Sequence, residues 1–291
     1  MAIKTINVTN AAEAFDILSK FAIPNDSIIF RGQGAEGHRL KSTLARHVRG
    51  KATELSITWM NDTLGHFFAC LASVGKLPQI SMNARSKLEY ARHCGVPSPL
   101  IDFTRSPYVA LWMAFNGVRP WEAGNVVVYA LDVNGLGILW LKYTGGGGDA
   151  FDAFRWSERQ EQFADGYPIE ILRYLQFPSS WNTRMLRQLG VFIYDSLQYE
   201  DAQGKFRDLE DFIDKGVDPA SEDGPTFTLH KIVIPKTTAS DVFTRLELMG
   251  IDGTRLYDNH EGAAADVKNA YVFNRRTGFA HDIIVPEPPP R

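Results

Sequence analysis

The chain has 291 residues, 44% apolar and 22% charged, with a formal net charge of -3: the composition of a globular protein with a sizeable core and without the basic footprint that general nucleic-acid affinity needs. Its two cysteines, Cys70 and Cys94, are too few for a disulfide framework or a four-thiolate zinc site, and their apolar or helical surroundings read as reduced core positions. No run nears the roughly 18–20 apolar residues of a membrane span and the first residues are no signal peptide, so a soluble, cytoplasmic protein is expected.

Asn10 to Phe21 carries Ala11, Phe15, Leu18 and Phe21 at helical spacing and is predicted as a first helix. Ser27 to Gln33 follows a turn as a strand that ends in an Arg31-Gly32 corner. An arginine closing an apolar strand needs an anionic partner or water, and a glycine beside it permits close backbone approach. Ser42 to about Lys76 is expected to be largely helical, and Asn83 to His93 forms a second helix. Basic residues gather over residues 39–51 (Arg39, Lys41, Arg46, His47, Arg49 and Lys51), either as a solvated face or as a contact for nucleic-acid phosphates.

Gly95 and Pro97 stop the helix that ends at His93. Leu100 and Ile101 make a brief strand, after which Asp102, Thr104 and Ser106 alternate with Phe103 and Arg105, so three polar side chains can share a direction. Pro107 suits the first position of an apolar, buried helix from Tyr108 to Phe115. Asp102 and Thr104 either build a site or cap that helix.

Val126 to Leu131 is a β-branched run that reads as a buried strand. Gly145 to Gly148 is a loop and no P-loop, because no Lys-Ser or Lys-Thr follows. Ser157 to Ala164 reads as a short helix, Ile169 to Phe177 as an apolar segment, Asn182 to Gly190 as a helix with a glycine stop, and Val191 to Tyr194 as a strand. Glu200 to Pro225 is polar and is expected to be a long exposed connection. Phe227 to Ile234 alternates as a strand, and a helix bearing Val242, Phe243, Leu246 and Met249 ends at Gly250. A short strand is expected within Ile251 to Asp258, then a last helix over Ala263 to Asn269. Residues 1–285 are expected to form a single domain, with 286–291 a proline-rich tail.

Candidates for chemistry stand where strands end and the chain turns: Arg31; Asp102 with Thr104 and Ser106; Glu261 with His260 and Asp258. No metal is expected, since neither His93-Cys94 nor His260-Glu261 has zinc-ligand spacing. Ser106 lacks a nucleophile elbow. His93 and Asp102 make either an acid–base pair or two structural residues. A carboxylate at Glu261, opening a helix, suits the helix dipole and serves either as a cap or as a stabiliser of positive charge.

Phe30-Arg31-Gly32-Gln33, Leu40 to Arg46, His93 to Pro97 and Leu100 to Leu111 together resemble the FRG-domain family, named for its Phe-Arg-Gly signature. Asn182-x-Arg184 with Gln188-x-Gly190-x-Phe192, and Ile232-x-Ile234-Pro235 with Met249-Gly250-Ile251 and Glu261-Gly262, resemble its later blocks. Phe103 stands where that family usually has tryptophan, and Ser98-Pro99 where it usually has Thr-Arg.

The motif order is in turn similar to that of ADP-ribosyltransferases, which carry an arginine with glycine on a first strand, a Ser-Thr-Ser-like strand before a helix, and a late glutamate. The fold expected from the elements is a single α+β domain with a central mixed or split β-sheet surrounded by helices, residues 42–93 being a helical insertion over the site. The similarity implies an ADP-ribosyltransferase-like form of it and NAD as substrate, contacted by Arg31, Gly32, Gln33, Asp102, Thr104, Ser106 and His93. Arg31, Ser106 and Glu261 would be the catalytic residues. The expectation is an ADP-ribosyltransferase-like toxin or antiviral (phage-defence) effector acting on protein or nucleic acid. Its alternatives are a non-catalytic sensor of a nucleotide or phosphate ligand and, third, a nuclease.

Overall fold

A computed structural model describes residues 3–22, 27–48, 53–78, 84–119, 121–144, 172–175, 183–195, 208–215, 228–257 and 259–273. Seven strands are described: β1 (Ile3–Asn7), β2 (Ile28–Gln33), β3 (Leu100–Thr104), β4 (Asn125–Asp132), β5 (Leu172–Leu175), β6 (Gly190–Asp195) and β7 (Leu229–Pro235). The helices are α1 (Ala11–Phe21), α2 (Thr43–Val48), α3 (Thr53–Ser73), α4 (Ala84–His93), α5 (Pro107–Phe115) and α6 (Val133–Thr144). They continue with α7 (Thr183–Arg187), α8 (Leu209–Lys215), α9 (Ala239–Leu248), α10 (Gly253–Tyr257) and α11 (His260–Val272).

The strands form one mixed sheet in the order β1-β7-β4-β2-β3-β6-β5, parallel only between β1 and β7. Alternation sorts the side chains. Ile29, Val127, Tyr129, Ile101 and Val191 face one layer, with α6 and α8. Phe30, Val126, Val128 and Ile232 face the other, where α1, α5 and α9 bury their apolar sides. A third cluster seats Leu88 and Ala91 of α4, with Leu44 and Leu64, on Leu100, Phe192 and Tyr194. β2 and β3 separate the latter two clusters. They pair only at Phe30 and Thr104, whereas β2 runs six register pairs along β4 and β3 runs five along β6. Of the mixed or split sheet that the sequence predicts, the mixed form is found, joined at its middle by a single register pair.

α5 holds this junction in place. Ser106 Oγ accepts from Val109 N–H, Pro107 opens the helix, and seven of its nine residues are buried. β2 crosses it so closely that a Cβ on Gly32 would stand 1.9 Å from Ala110 O and 2.6 Å from Ala114 N. Only glycine fits there.

Several expectations are corrected. Cys70 and Cys94 are free thiols but exposed, Cys94 because it sits in the turn after α4 and Cys70 because it lies on the outward side of α3. Within the expected exposed connection lies α8, whose Leu209, Phe212 and Ile213 are fully buried. Asp208 and Glu210 at its start find their partners far away in the chain. Asp208 forms a two-point ion pair with Arg39 and also caps α8 by accepting from Asp211 N–H at 2.9 Å. Glu210 Oε1 accepts from Leu40 N–H at 2.8 Å. The segment expected as a strand before Asp258 is helix α10, because Asp266 accepts from Gly253 N–H at 2.6 Å and Thr254 N–H at 2.7 Å and so caps it. β1 and α6 were not expected. The Gly145–Gly148 loop, the Ser157–Ala164 helix, Arg49, Lys51, Asp258 and the tail 286–291 lie outside the described residues.

Among the described residues no helix is long and apolar enough to cross a membrane. No group of three or more His, Cys, Asp or Glu side chains there is placed to hold a metal ion.

Candidate functional site

Beyond the Phe30–Thr104 pair the strands part, and the Arg31 side chain spans the gap: Nη1 donates to the Asp102 carbonyl at 2.5 Å and lies 3.5 Å from its Oδ2. The gap opens into a cleft of about 360 Å³. Phe30, Arg31 and Gly32 form one side of it, and Asp102 and Phe103 another. α4 supplies the roof with Glu89, Arg92 and His93, which stand at i, i+3 and i+4 and so share one helix face. Arg184 and Gln188, from α7 and the turn after it, and Tyr257 of α10 close the far end.

The cleft is electrostatically asymmetric: three guanidiniums (Arg31, Arg92, Arg184) face two carboxylates (Glu89, Asp102). Arg92 Nη2 donates to Asp102 Oδ2 at 2.5 Å, so one carboxylate serves two arginines. Burial, and then the neighbouring Arg46 and Arg92, pull the Arg31 pKa below its ordinary value against the attraction of Asp102. A guanidinium stays charged even so. The Nε–H groups of Arg31 and Arg92 are both buried, with no hydrogen-bond partner among the described residues. Arg184 lies over the Tyr257 ring, 4.2 Å from its centroid, in a cation–π contact.

His93 is pushed below its usual pKa by burial and then by Arg184, while Glu261 opposes both. These influences together favour the neutral imidazole. Glu261→Gln is expected to lower the His93 pKa further and Arg184→Gln to raise it. NMR titration of the His93 ring reads both signs, and an unchanged value in Glu261→Gln would break the link between rim and cleft.

The structure gathers Arg31, Gly32, Asp102 and His93, of the residues the sequence puts forward, around this one cleft. Glu261 is exposed in the first turn of α11, beside the equally exposed His260, and does not line the cleft; its charge raises the His93 pKa, the weakest of the three influences there. Its place is fixed by Asn259, which accepts from Glu261 N–H at 3.0 Å, and by the close approach of Gly253 to Gly262, where a Cβ on Gly262 would stand 2.2 Å from Gly253 O.

Gln33, Thr104 and Ser106 are used inside the fold and do not line the cleft. Gln33 is buried with Nε2 donating to Arg39 O at 3.4 Å. Thr104 Oγ1 donates to Gln188 O at 2.6 Å and accepts from Ser106 N–H at 3.0 Å. Ser106 caps α5. The strand ends at Thr104, so the alternation that aligns Asp102 with Thr104 does not carry on to Ser106. Asp102 takes Arg92 and Arg31 as partners, in place of the acid–base pairing with His93. In the basic stretch, Arg39 and Lys41 turn towards Asp208, which takes Arg39 out of any free basic face.

Glu89, Arg92, Arg184, Gln188 and Tyr257 were not put forward from the sequence. The Glu-x-x-Arg-His spacing on a helix that leads into the Asp102 strand was the available signal. Leu189, next to Gln188, has φ 49°, and it is the non-glycine residue that adopts the left-handed region among the described residues. Strain at such a position concentrates at functional sites.

Fold and cleft define an α+β protein with a cleft lined by three arginines where β2 and β3 part. Residues 26–122 match the family model described as the FRG domain, so the chain carries an FRG domain. The match runs from just before β2 to beyond α5 and takes in Arg31, Glu89, Arg92, His93 and Asp102, while Arg184, Tyr257 and Glu261 come from the chain that follows. No curated protein and no solved structure is matched.

Proposed function

We propose that the cleft binds a nucleotide-type ligand through its phosphate groups. The observation that carries this reading is the convergence of Arg31, Arg92 and Arg184 on one concave site with fewer carboxylates than guanidiniums. Arginine forks match phosphate oxygens in pairs. The volume of about 360 Å³ is of the size that holds a small ligand, about 300–1,000 Å³ in general. The Tyr257–Arg184 stack offers a flat surface for a base or nicotinamide ring.

A second reading, ADP-ribosyl transfer from NAD, is favoured by Glu261, whose charge is felt at His93 on the cleft wall. In it the bond from ribose C1′ to the nicotinamide nitrogen breaks and the electron pair leaves with nicotinamide. The Glu261 carboxylate stabilises the positive ribosyl centre. An acceptor nucleophile then bonds to C1′ and its proton passes to a carboxylate. A toxin or antiviral effector modifying protein or nucleic acid would act in this way. With Ser106 and Thr104 committed to the fold, the ribose would depend on the α4 residues for its orientation.

The test is calorimetric titration with NAD, ADP-ribose and ADP, together with nicotinamide release by wild type and Glu261→Gln. Saturable binding without release establishes the binding module. Release lost in Glu261→Gln establishes transfer. Absence of binding by all three ligands would remove both readings.

A further inference from the structure

Asp102 is badly matched to the two arginines it serves. Its carboxylate hangs on a single methylene from β3, so Oδ2 reaches Arg92 at 2.5 Å and Arg31 at only 3.5 Å. Both Nε–H groups are buried and find no acceptor among the described residues. The exposures are unequal too: the Asp102 side chain is 43% exposed, against 15% for Arg31 and 21% for Arg92. A carboxylate so open to water gives up its ion pair at little cost, whereas two largely desolvated guanidiniums need an anion near them. Arg31 moreover keeps its bond to the Asp102 backbone carbonyl whatever the carboxylate does.

We propose that the Asp102 carboxylate is a built-in stand-in for the ligand's phosphate, holding the anion position between Arg31 and Arg92 and turning out to solvent when a phosphate takes it. This deepens the phosphate-binding reading above and rests on it. A phosphate is not tethered to the strand and brings several acceptor oxygens, so it can reach donors that one carboxylate oxygen leaves unserved. Displacement removes one negative charge from the cleft and a dianion more than replaces it. A monoanion gains nothing over Asp102 itself. The exchange therefore makes the cleft selective for dianionic phosphate over chloride and carboxylates.

The experiment is calorimetric titration of the full chain with inorganic pyrophosphate, comparing wild type, Asp102→Asn and Asp102→Ser, each checked for a native melt. Both variants are expected to bind about tenfold tighter, from the loss of a close like charge and of the competitor. Acetate should then compete with pyrophosphate in Asp102→Ser, by filling the carboxylate's place, and not in wild type. Wild type supplies a second readout should the variants not fold: the Asp102 carboxyl carbon resonance should move on saturation with pyrophosphate. Variants that bind equally or more weakly, or a resonance that stays put, would overturn the exchange and leave the phosphate site standing with Asp102 as a positioning residue. Absence of pyrophosphate binding in native wild type and variants alike would overturn both.

Discussion

Gly32→Ala is expected to destabilise the protein by about 3 kcal/mol, the upper end of the usual cost of overpacking, because the neighbour cannot yield. The added methyl would sit 1.9 Å from Ala110 O, 2.6 Å from Ala114 N and 3.0 Å from Ala110 C, all backbone atoms of α5. A flexible side chain would move aside, but a helix backbone with seven buried residues cannot. Relief can come only by lifting β2 off α5, which would also pull Arg31 away from Asp102 and open the cleft. At about 2–4 °C per kcal/mol for a chain of this class, the thermal unfolding midpoint followed by circular dichroism should fall by roughly 6–12 °C. Gly34→Ala is the internal control. Its added methyl would meet Ala114 O at 3.7 Å, an ordinary contact, and the change should stay within about 0.5 kcal/mol. If the two variants melt together, the close packing of β2 on α5 is not what fixes the β2–β3 junction.

Where local pattern decides the structure, the sequence is a sufficient guide. Leu100–Thr104, the Ser106 cap, Pro107 and the apolar α5 are each dictated by neighbours within a few residues, and so is β4 with its run of valines. The elements that escape are those decided at long range. α8 looks like a polar connection because its acidic residues meet their partners, Arg39 and Leu40 N–H, some 170 residues earlier in the chain. Five-residue α10 is settled by Asp266 on the following helix. β1 is an edge strand of which only Ile3 and Ile6 turn partly inward, too weak an alternation to stand out.

The same division runs through the site. Arg31 and Asp102 could be singled out because an arginine closing an apolar strand and an aspartate on another must each find partners. Arg92 and Glu89 carry a weaker signal, their shared spacing with His93, which is outweighed because charged residues on an amphipathic helix read as a solvated face. They point inward because β2 and β3 part beneath α4, a fact of pairing register that no single segment contains. Ser106 shows the converse error. Its position before Pro107 is at once a polar alternation and an N-cap, and the cap prevails because an uncapped helix end would leave the Val109 N–H unsatisfied.

Arg31→Ala is the variant expected to cost the cleft most of its ligand affinity. A hydrogen bond to a charged group contributes about 1.5–3 kcal/mol, so losing one such contact to a phosphate should weaken binding of NAD or ADP-ribose by roughly 10- to 150-fold. Stability should change far less. Asp102 retains Arg92, and the Asp102 carbonyl released from Arg31 Nη1 lies at the open edge of the cleft, where water can reach it. Arg31→Lys should fall between: it keeps a charge but is a point donor, unable to hold the Asp102 carbonyl and grip two phosphate oxygens together. Ser106→Ala should do the reverse, losing about 1 kcal/mol of stability with its N-cap and leaving affinity untouched. Titration calorimetry and thermal melts on the same four proteins separate these patterns. Equal affinity in Arg31→Ala and wild type would move the ligand away from the gap between β2 and β3, and a loss of affinity in Ser106→Ala at unchanged stability would return that hydroxyl to the site.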